Sequence, residues 1–308
     1  MQFKASAPGS LMLLGEYAVL HGKQALVCAI NKRITVSLSP RTDQQVMIYS
    51  TDLGTYTTSL QQLKIEKPFQ FVLGAFKHYQ SKLRQGCDVT IETDFSDQIG
   101  LGSSAAVTVA TLAVLATWFN TKVAPLDLIR QGRHVVNQVQ GVGSGADIAA
   151  SVYGGVVGYQ SQPLYAEKFS VTHPITVLYA GFKTPTVVAI QSVRDRFHHH
   201  AHIFQHICHS IGQCASDGIQ AIRKNEWIKL GEIMSMQQGM LEALGVSMPI
   251  LRELLDNLRS QSGILGAKIS GSGLGDCVIG LGEGFSSGSA THYVPVEMTM
   301  HGVLSEKI

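Results

Sequence analysis

The sequence predicts an α+β fold. Three observations carry that expectation. The first half opens with alternating, Val- and Ile-rich segments that follow one another as hairpins instead of being separated by helices. A glycine-rich turn then opens one long apolar helix. The second half is mostly helical and closes on strands, so the pattern is not the strict alternation of a doubly wound parallel sheet.

In chain order, residues 26–38 read as a strand-forming run, followed by alternating segments at 45–49 and 55–60. Residues 69–83 have helical periodicity, with Phe69, Val72, Leu73, Phe76 and Tyr79 on one stripe. Residues 87–93 alternate like an edge or half-buried strand. The long apolar helix covers 103–119, a second helix 126–139, and a short third begins near Ser144. Strands are expected at 156–159 and 175–179, then helices at 199–223, 226–244 and 248–261. The last strands are 267–270, 276–281 and one near 292–296. A boundary is expected around Gln160-Ser161-Gln162-Pro163, dividing the chain into units 1–165 and 166–308.

The chain has 308 residues, 45% hydrophobic and 15% charged, an ordinary globular balance. That length suits one large domain or two moderate ones sharing a cleft. The formal charge is +2, and the basic residues are scattered, so neither nucleic acid nor a membrane surface is an expected partner. Five cysteines, Cys28, Cys87, Cys208, Cys214 and Cys277, are odd in number, widely spaced and lack any CxxC pair. Reduced thiols in a cytosol fit this better than a disulfide framework or a zinc knuckle. The first residues lack the basic-then-apolar pattern of a signal peptide. Apolar stretches break before they reach ~18 residues. A cytoplasmic location is therefore expected.

Three glycine-rich loops carry the chemistry. In Ile99-Gly100-Leu101-Gly102-Ser103-Ser104-Ala105-Ala106, glycines let the backbone turn tightly and approach a ligand. Ser103 and Ser104 then stand where free amide N–H groups and the helix dipole converge. Such a turn holds phosphate, and a serine hydroxyl there can ligate Mg²⁺. The bland alternative is a structural turn with a serine cap. No lysine follows the last glycine, so this is not a P-loop. The second loop is Gly141-Val142-Gly143-Ser144-Gly145-Ala146-Asp147. Asp147 is either an ordinary first-turn acid favoured by the helix dipole or a general base aimed into the phosphate cleft. The third, Lys268-Ile269-Ser270-Gly271-Ser272-Gly273-Leu274-Gly275-Asp276-Cys277, lies between two strands and is either a glycine-rich hairpin or a site of close backbone approach.

These loops, in this order and preceded by Ala7-Pro8-Gly9-Ser10-Leu11-Met12-Leu13-Leu14-Gly15-Glu16-Tyr17-Ala18-Val19-Leu20, closely resemble the GHMP kinases. The resemblance runs from Ala7 to about Leu281. It implies an N-terminal domain like ribosomal protein S5 domain 2 and a ferredoxin-like C-terminal domain, with ATP, Mg²⁺ and a small-molecule substrate bound between them. On this likeness Gly100, Leu101, Gly102, Ser103, Ser104 and Ala105 cradle the phosphates, with Ser104 on Mg²⁺. Gly271, Ser272 and Gly273 pack on the nucleotide side. Asp147 accepts the acceptor's proton or holds the acceptor in line. Ser10, Glu16, His21, Ser144 and Gly145 border the acceptor. A second copy of the chain is a further partner the likeness allows.

Within the superfamily, Gly143-Ser144-Gly145-Ala146-Asp147 and Gly275-Asp276-Cys277 look like phosphomevalonate kinase, whereas Leu241-Glu242-Ala243-Leu244-Gly245-Val246-Ser247 looks like mevalonate kinase. The expectation leans to the former. One departure stands out: the mevalonate branch usually carries lysine where this chain has Ser10. Lys183, in a Gly/Thr/Pro turn with Thr184 and Thr186 beside it, is the candidate replacement, against the reading of a solvated surface lysine. Thr184 would then bind acceptor oxygens. The rival from another class is a non-catalytic nucleotide or metabolite sensor, favoured by Ser10 and opposed by Ser104 and Asp147. A decarboxylase of the superfamily is disfavoured by Gly15-Glu16-Tyr17. His198, His202, His206 and His209 could line one helix face, more in keeping with a solvated surface than with a metal site.

Overall fold

The protein is represented by a computed structural model that describes residues 1–96, 99–284 and 292–308. In the first half it has β1 (Phe3–Leu14), β2 (Gln24–Pro40), β3 (Gln45–Ser50), β4 (Gly54–Ser59), α1 (Gln70–His78), β5 (Cys87–Thr93), α2 (Ser103–Trp118), α3 (Pro125–Gln140), α4 (Ala146–Tyr153), β6 (Val156–Ser161) and β7 (Leu164–Phe169). The second half has β8 (Ile175–Tyr179), α5 (Thr186–Arg196), α6 (Ala201–Arg223), α7 (Trp227–Ala243), α8 (Pro249–Arg259), β9 (Ile264–Ser270), β10 (Cys277–Gly282), β11 (Tyr293–Val294) and β12 (Leu304–Lys307).

Two sheets result, and the expected α+β class holds. The larger has the order β12-β1-β2-β5-β3-β4, with β6 also paired to β2 and β7 to β6. The smaller has the order β11-β8-β10-β9. The long β2 is the branch point: residues 24–28 pair with β6, residues 34–40 with β5, and β1 runs along most of it. Helix α2 lies on β1 and β2 with α1, α3 and α4 around it. Its buried residues run all round the helix, as a helix packed on every side requires. The hydroxyls of Thr108 and Thr111 bond back to the carbonyls of Ser104 and Val107, each at 2.7 Å, so they are satisfied inside the apolar core. In the second half, α7 and α8 cover the small sheet, and a second core forms around Leu178, Leu241, Leu251, Leu255 and Ile269.

Several expectations shift. The strand at 87–93 is half-buried but not at an edge, because it lies between β2, antiparallel, and β3, parallel. The boundary expected after residue 165 falls inside β7, which completes the β6 hairpin; the larger sheet continues to Phe169. That sheet also takes in β12 from the far end of the chain, paired Phe3↔Lys307 to Ser6↔Leu304. Strands β1, β7 and β12 and helix α5 are additions to the sequence reading. His198 precedes α6 and does not share its face; His202, His206 and His209 lie on the exposed side of that helix. Among the described residues, no helix is long and apolar enough to cross a membrane.

Candidate active site

The two sheets leave a cavity of about 880 Å³ between them. Its walls include Ser103, Ser104 and Ala105 at the start of α2, Ser144, Gly145 and Asp147 at the start of α4, Gly271 and Ser272 after β9, and Lys183 before α5. The first, second and third glycine loops are thereby brought to one space, although 168 positions separate Ser103 from Gly271 in the chain.

The first loop is seated on β1. A register shift between Pro8 and Ser10 bulges the strand at Gly9, and the amide of Ser10 donates to the carbonyl of Leu101 at 3.0 Å. Gly102 is left-handed, φ 71°, and a Cβ there would stand 2.1 Å from the Ser10 hydroxyl oxygen. Only glycine meets both conditions. Gly102 is also the N-cap of α2 and brings no capping side chain. The Ala105 and Ala106 amides turn back to the Gly102 carbonyl, so the helix start receives no side-chain cap where Ser103 and Ser104 line the cavity, which suits a phosphate. Gly100, Leu101 and Gly102 shape this turn from behind and do not line the cavity.

Ser10 is 1% exposed, and its hydroxyl donates to Asp147 Oδ1 at 2.8 Å. One turn further along α4, Ser151 donates to the carbonyl of Pro8 at 2.8 Å. Two bonds, four residues apart, thus fix the α4 face on β1 and aim Asp147 into the cavity. Burial pushes the Asp147 carboxyl above the usual carboxylate range, while the Ser10 hydrogen bond and the Lys183 charge pull it back. Ser144, just ahead of the N-cap Gly145, accepts from the Ala146 amide at 3.2 Å.

Glu16 also borders the cavity, but its carboxylate is engaged. Oε1 pairs with the Lys268 ammonium, which is 0% exposed. Oε2 accepts from Gln237 Nε2 at 2.5 Å, whose own oxygen accepts from the Gly15 amide at 3.0 Å. Burial lowers the Lys268 pKa and the Glu16 charge raises it again. Next to it, the Tyr17 hydroxyl donates to the Ser272 carbonyl at 2.6 Å. Glu16 and Tyr17 therefore tie the β1 turn of one sheet to the β9 loop of the other.

Three expected acceptor contacts lie elsewhere. Ser10 sits beneath the loop. His21 is exposed and packs edge-on against Phe204, ring centres 5.3 Å apart. Thr184 spends its hydroxyl on the Leu274 carbonyl at 2.5 Å, behind the cavity. Gly273 is likewise behind, against Val246.

Sequence comparison accounts for this arrangement. Residues 70–155 match the GHMP kinases N terminal domain, and residues 219–290 match GHMP kinases C terminal. Mevalonate kinase of Pyrococcus abyssi is 31% identical over 298 residues, 91% of this chain and 88% of that protein. The chain belongs to the GHMP kinase family. Among solved structures, a Listeria innocua protein superposes with a TM-score of 0.87 over 100% of both chains at 23% identity. Streptococcus pneumoniae phosphomevalonate kinase, solved with phosphomevalonate and AMPPNP, superposes with 0.76 at 20% identity, over 91% of this chain and 92% of that one. These two likenesses speak for the fold alone.

The residues of this GHMP kinase suit Mg²⁺ and ATP. The uncapped α2 start offers N–H groups, and the nearby donors, the Ser103 and Ser104 hydroxyls and the Asp147 carboxylate, are hard oxygens. Among the described residues no group of three His, Cys, Asp or Glu side chains could hold a metal by itself. That agrees with an ion held by one or two side chains and by substrate phosphates.

Asp276, quoted in the third loop but given no role of its own from the sequence, lies against the Gly100 turn. Asp276 is 6% exposed, left-handed at φ 63° and packed on Gly100, whose Cβ would stand 2.8 Å from its Oδ1. Burial pushes its carboxyl up to about 6, against the pull of Lys183. The sequence signal was an acid ending a glycine run, which reads equally well as a turn residue.

Proposed function

We propose that this GHMP kinase transfers a phosphoryl group from Mg-ATP to the hydroxyl of mevalonate or a closely similar hydroxy acid. The observation that carries the reading is the convergence of the Ser103–Ser104 turn and Asp147 on one cavity. When bound, Mg-ATP supplies the phosphoryl group and neutralises part of its charge. The N–H groups at the start of α2 hold phosphate oxygens. Asp147, aimed by Ser10, accepts the acceptor's hydroxyl proton. Lys183 lends positive charge to the group in flight, in place of a lysine at position 10.

The choice of mevalonate over phosphomevalonate, toward which the sequence reading leaned, has two supports. The curated relative quoted above is a mevalonate kinase, alike along nearly its whole length. Moreover, among the described residues Lys67 and Lys183 are the only cationic side chains on the cavity wall, which also bears Glu16, Asp52, Glu66 and Asp147. An acceptor with one carboxylate suits that balance better than one that adds a phosphate. The Gly275-Asp276-Cys277 sequence favoured the phosphorylated acceptor, but Asp276 is not on the cavity wall, and its charge would repel a phosphate.

The test is coupled detection of ADP with Mg-ATP and, in turn, mevalonate, phosphomevalonate, homoserine and galactose. Mevalonate should give the highest kcat/KM. A higher value with phosphomevalonate overturns the acceptor. No ADP with any of them overturns the enzyme reading in favour of a sensor.

A further inference from the structure

Asp276 is held in an unfavourable state by contacts on two sides. Its Oδ1 is buried with no hydrogen-bond partner among the described residues, which is costly for a buried polar atom. Its left-handed backbone is uncommon for a residue with a side chain. Such features persist where surrounding structure imposes them, and they cluster at functional sites.

On one side, the structure pins Asp276 to the segment that bears Lys183. Its amide donates to the Phe182 carbonyl at 3.0 Å, and its carbonyl accepts from the Ala180 amide at 2.8 Å. The Thr184 hydroxyl holds the neighbouring Leu274 carbonyl, so residues before and after Lys183 are both clamped. On the other side stands the phosphate turn. The carboxylate packs on Gly100, and the Cys277 thiol donates to the Ile99 carbonyl at 2.9 Å. The Lys183 charge acts on Asp276 as it does on Asp147. The ammonium thus stands within the field of two carboxylates, one in the cavity and one under the turn.

We propose that Asp276 is a positioning residue for the phosphoryl transfer, holding the Lys183 ammonium toward the Gly100–Ser104 turn; the inference rests on the kinase reading given above. Asp276 touches neither acceptor nor phosphate. The Lys183 charge acts on the Asp276 carboxylate through space, and the clamp through Phe182 and Thr184 keeps the two residues in register. The other described titratable groups that feel Asp276 are Tyr179 at the end of β8 and the buried Cys277. Both are shifted upward, away from neutrality, so neither competes as a proton site near pH 6.

The experiment compares wild type, Asp276→Asn, Lys183→Met and the double variant. Asparagine keeps the shape and tolerates the left-handed backbone. With Mg-ATP and mevalonate, Asp276→Asn should lower kcat roughly tenfold while KM for ATP stays within about twofold. The double variant should be no worse than Lys183→Met alone, because Asp276 acts through the lysine. Full kcat in Asp276→Asn, or losses that multiply in the double variant, overturn the proposal. A second readout needs no turnover: reductive ¹³C-methylation of lysines, with the Lys183 signal assigned by its loss in Lys183→Met. That signal should follow a titration near pH 6 in wild type that disappears in Asp276→Asn. An identical titration in both proteins overturns the proposal even if no acceptor is phosphorylated. Wild type that is silent toward every acceptor while the signal behaves as expected would instead overturn the function.

Discussion

Ser10 and Asp147, 137 positions apart in the chain, share one hydrogen bond of 2.8 Å in which the hydroxyl donates to the carboxylate. That bond favours the ionised acid, opposing the burial that disfavours it. Ser10→Ala should therefore raise the Asp147 pKa further and move the acid limb of the kcat–pH profile to higher pH. Bonds to charged groups contribute about 1.5–3 kcal/mol, so kcat near neutrality should fall roughly tenfold. A kcat–pH series on both proteins checks this; a superimposable profile would mean the bond does nothing for the base.

Ser104→Ala removes one hard oxygen at the α2 start and leaves the Gly100–Gly102 turn unaltered. kcat/KM should drop tenfold or more, about 1.4 kcal/mol, and the Mg²⁺ concentration for half-maximal rate should rise. Kinetics that match wild type at both low and saturating Mg²⁺ would remove the hydroxyl from the metal's surroundings.

Lys183→Met deletes the cation closest in effect to Asp147 and Asp276. If its charge acts on the phosphoryl in flight, kcat should fall roughly a hundredfold, as for loss of one preorganised donor. ATP affinity, measured by calorimetry, should change little. A variant with unimpaired kcat would leave catalysis to Asp147 and the backbone dipoles.

Asp276→Asn should stabilise the protein even as it slows it. The folded-state pKa of about 6 lies above the ordinary carboxylate range, so the native state binds the proton more tightly than the unfolded chain. The penalty for the buried charge is absent below about pH 4 and complete above about pH 6–7. Asparagine carries no charge, so unfolding at pH 8 should need up to ~3 kcal/mol more than in wild type, with little difference at pH 4. Urea melts at the two pH values decide it. A variant less stable at pH 8 would mean that the carboxylate makes contacts whose loss outweighs its burial.

Replacing His198, His199 and His200 together with Gln should leave activity and stability within about 0.5 kcal/mol of wild type. All three are exposed between α5 and α6. Activity that falls and returns with added Zn²⁺ would reveal a metal role.

Much of this architecture was readable where chemistry is local. The α2 start could be read because Gly100, Gly102 and two serines combine turn, cap and phosphate geometry in a few adjacent residues. Strand β1 could not, since from Ala7 to Leu14 both its faces are buried and the period-2 signal disappears. Helix α5 follows a Gly/Pro turn and buries only Ala189, Ile190 and Val193, too narrow a stripe to stand out. Ser10 and His21 were placed on the acceptor by family likeness and Thr184 by its place beside Lys183, and the bulge at Gly9, the ring of Phe204 and the carbonyl of Leu274 put them elsewhere. Lys268 meets Glu16 across 252 positions, and no local pattern announces such a pair.

That ion pair also restricts how the molecule can breathe. Lys268 and Glu16 are both shut off from solvent, and drawing them apart would strand two charges without water, at several kcal/mol each. Sliding one sheet over the other is therefore opposed at this point. With the Met12 amide bonded to the Ser270 hydroxyl and the Tyr17 hydroxyl to the Ser272 carbonyl beside it, the buried pair makes this corner of the cleft a fixed floor against which substrates are seated.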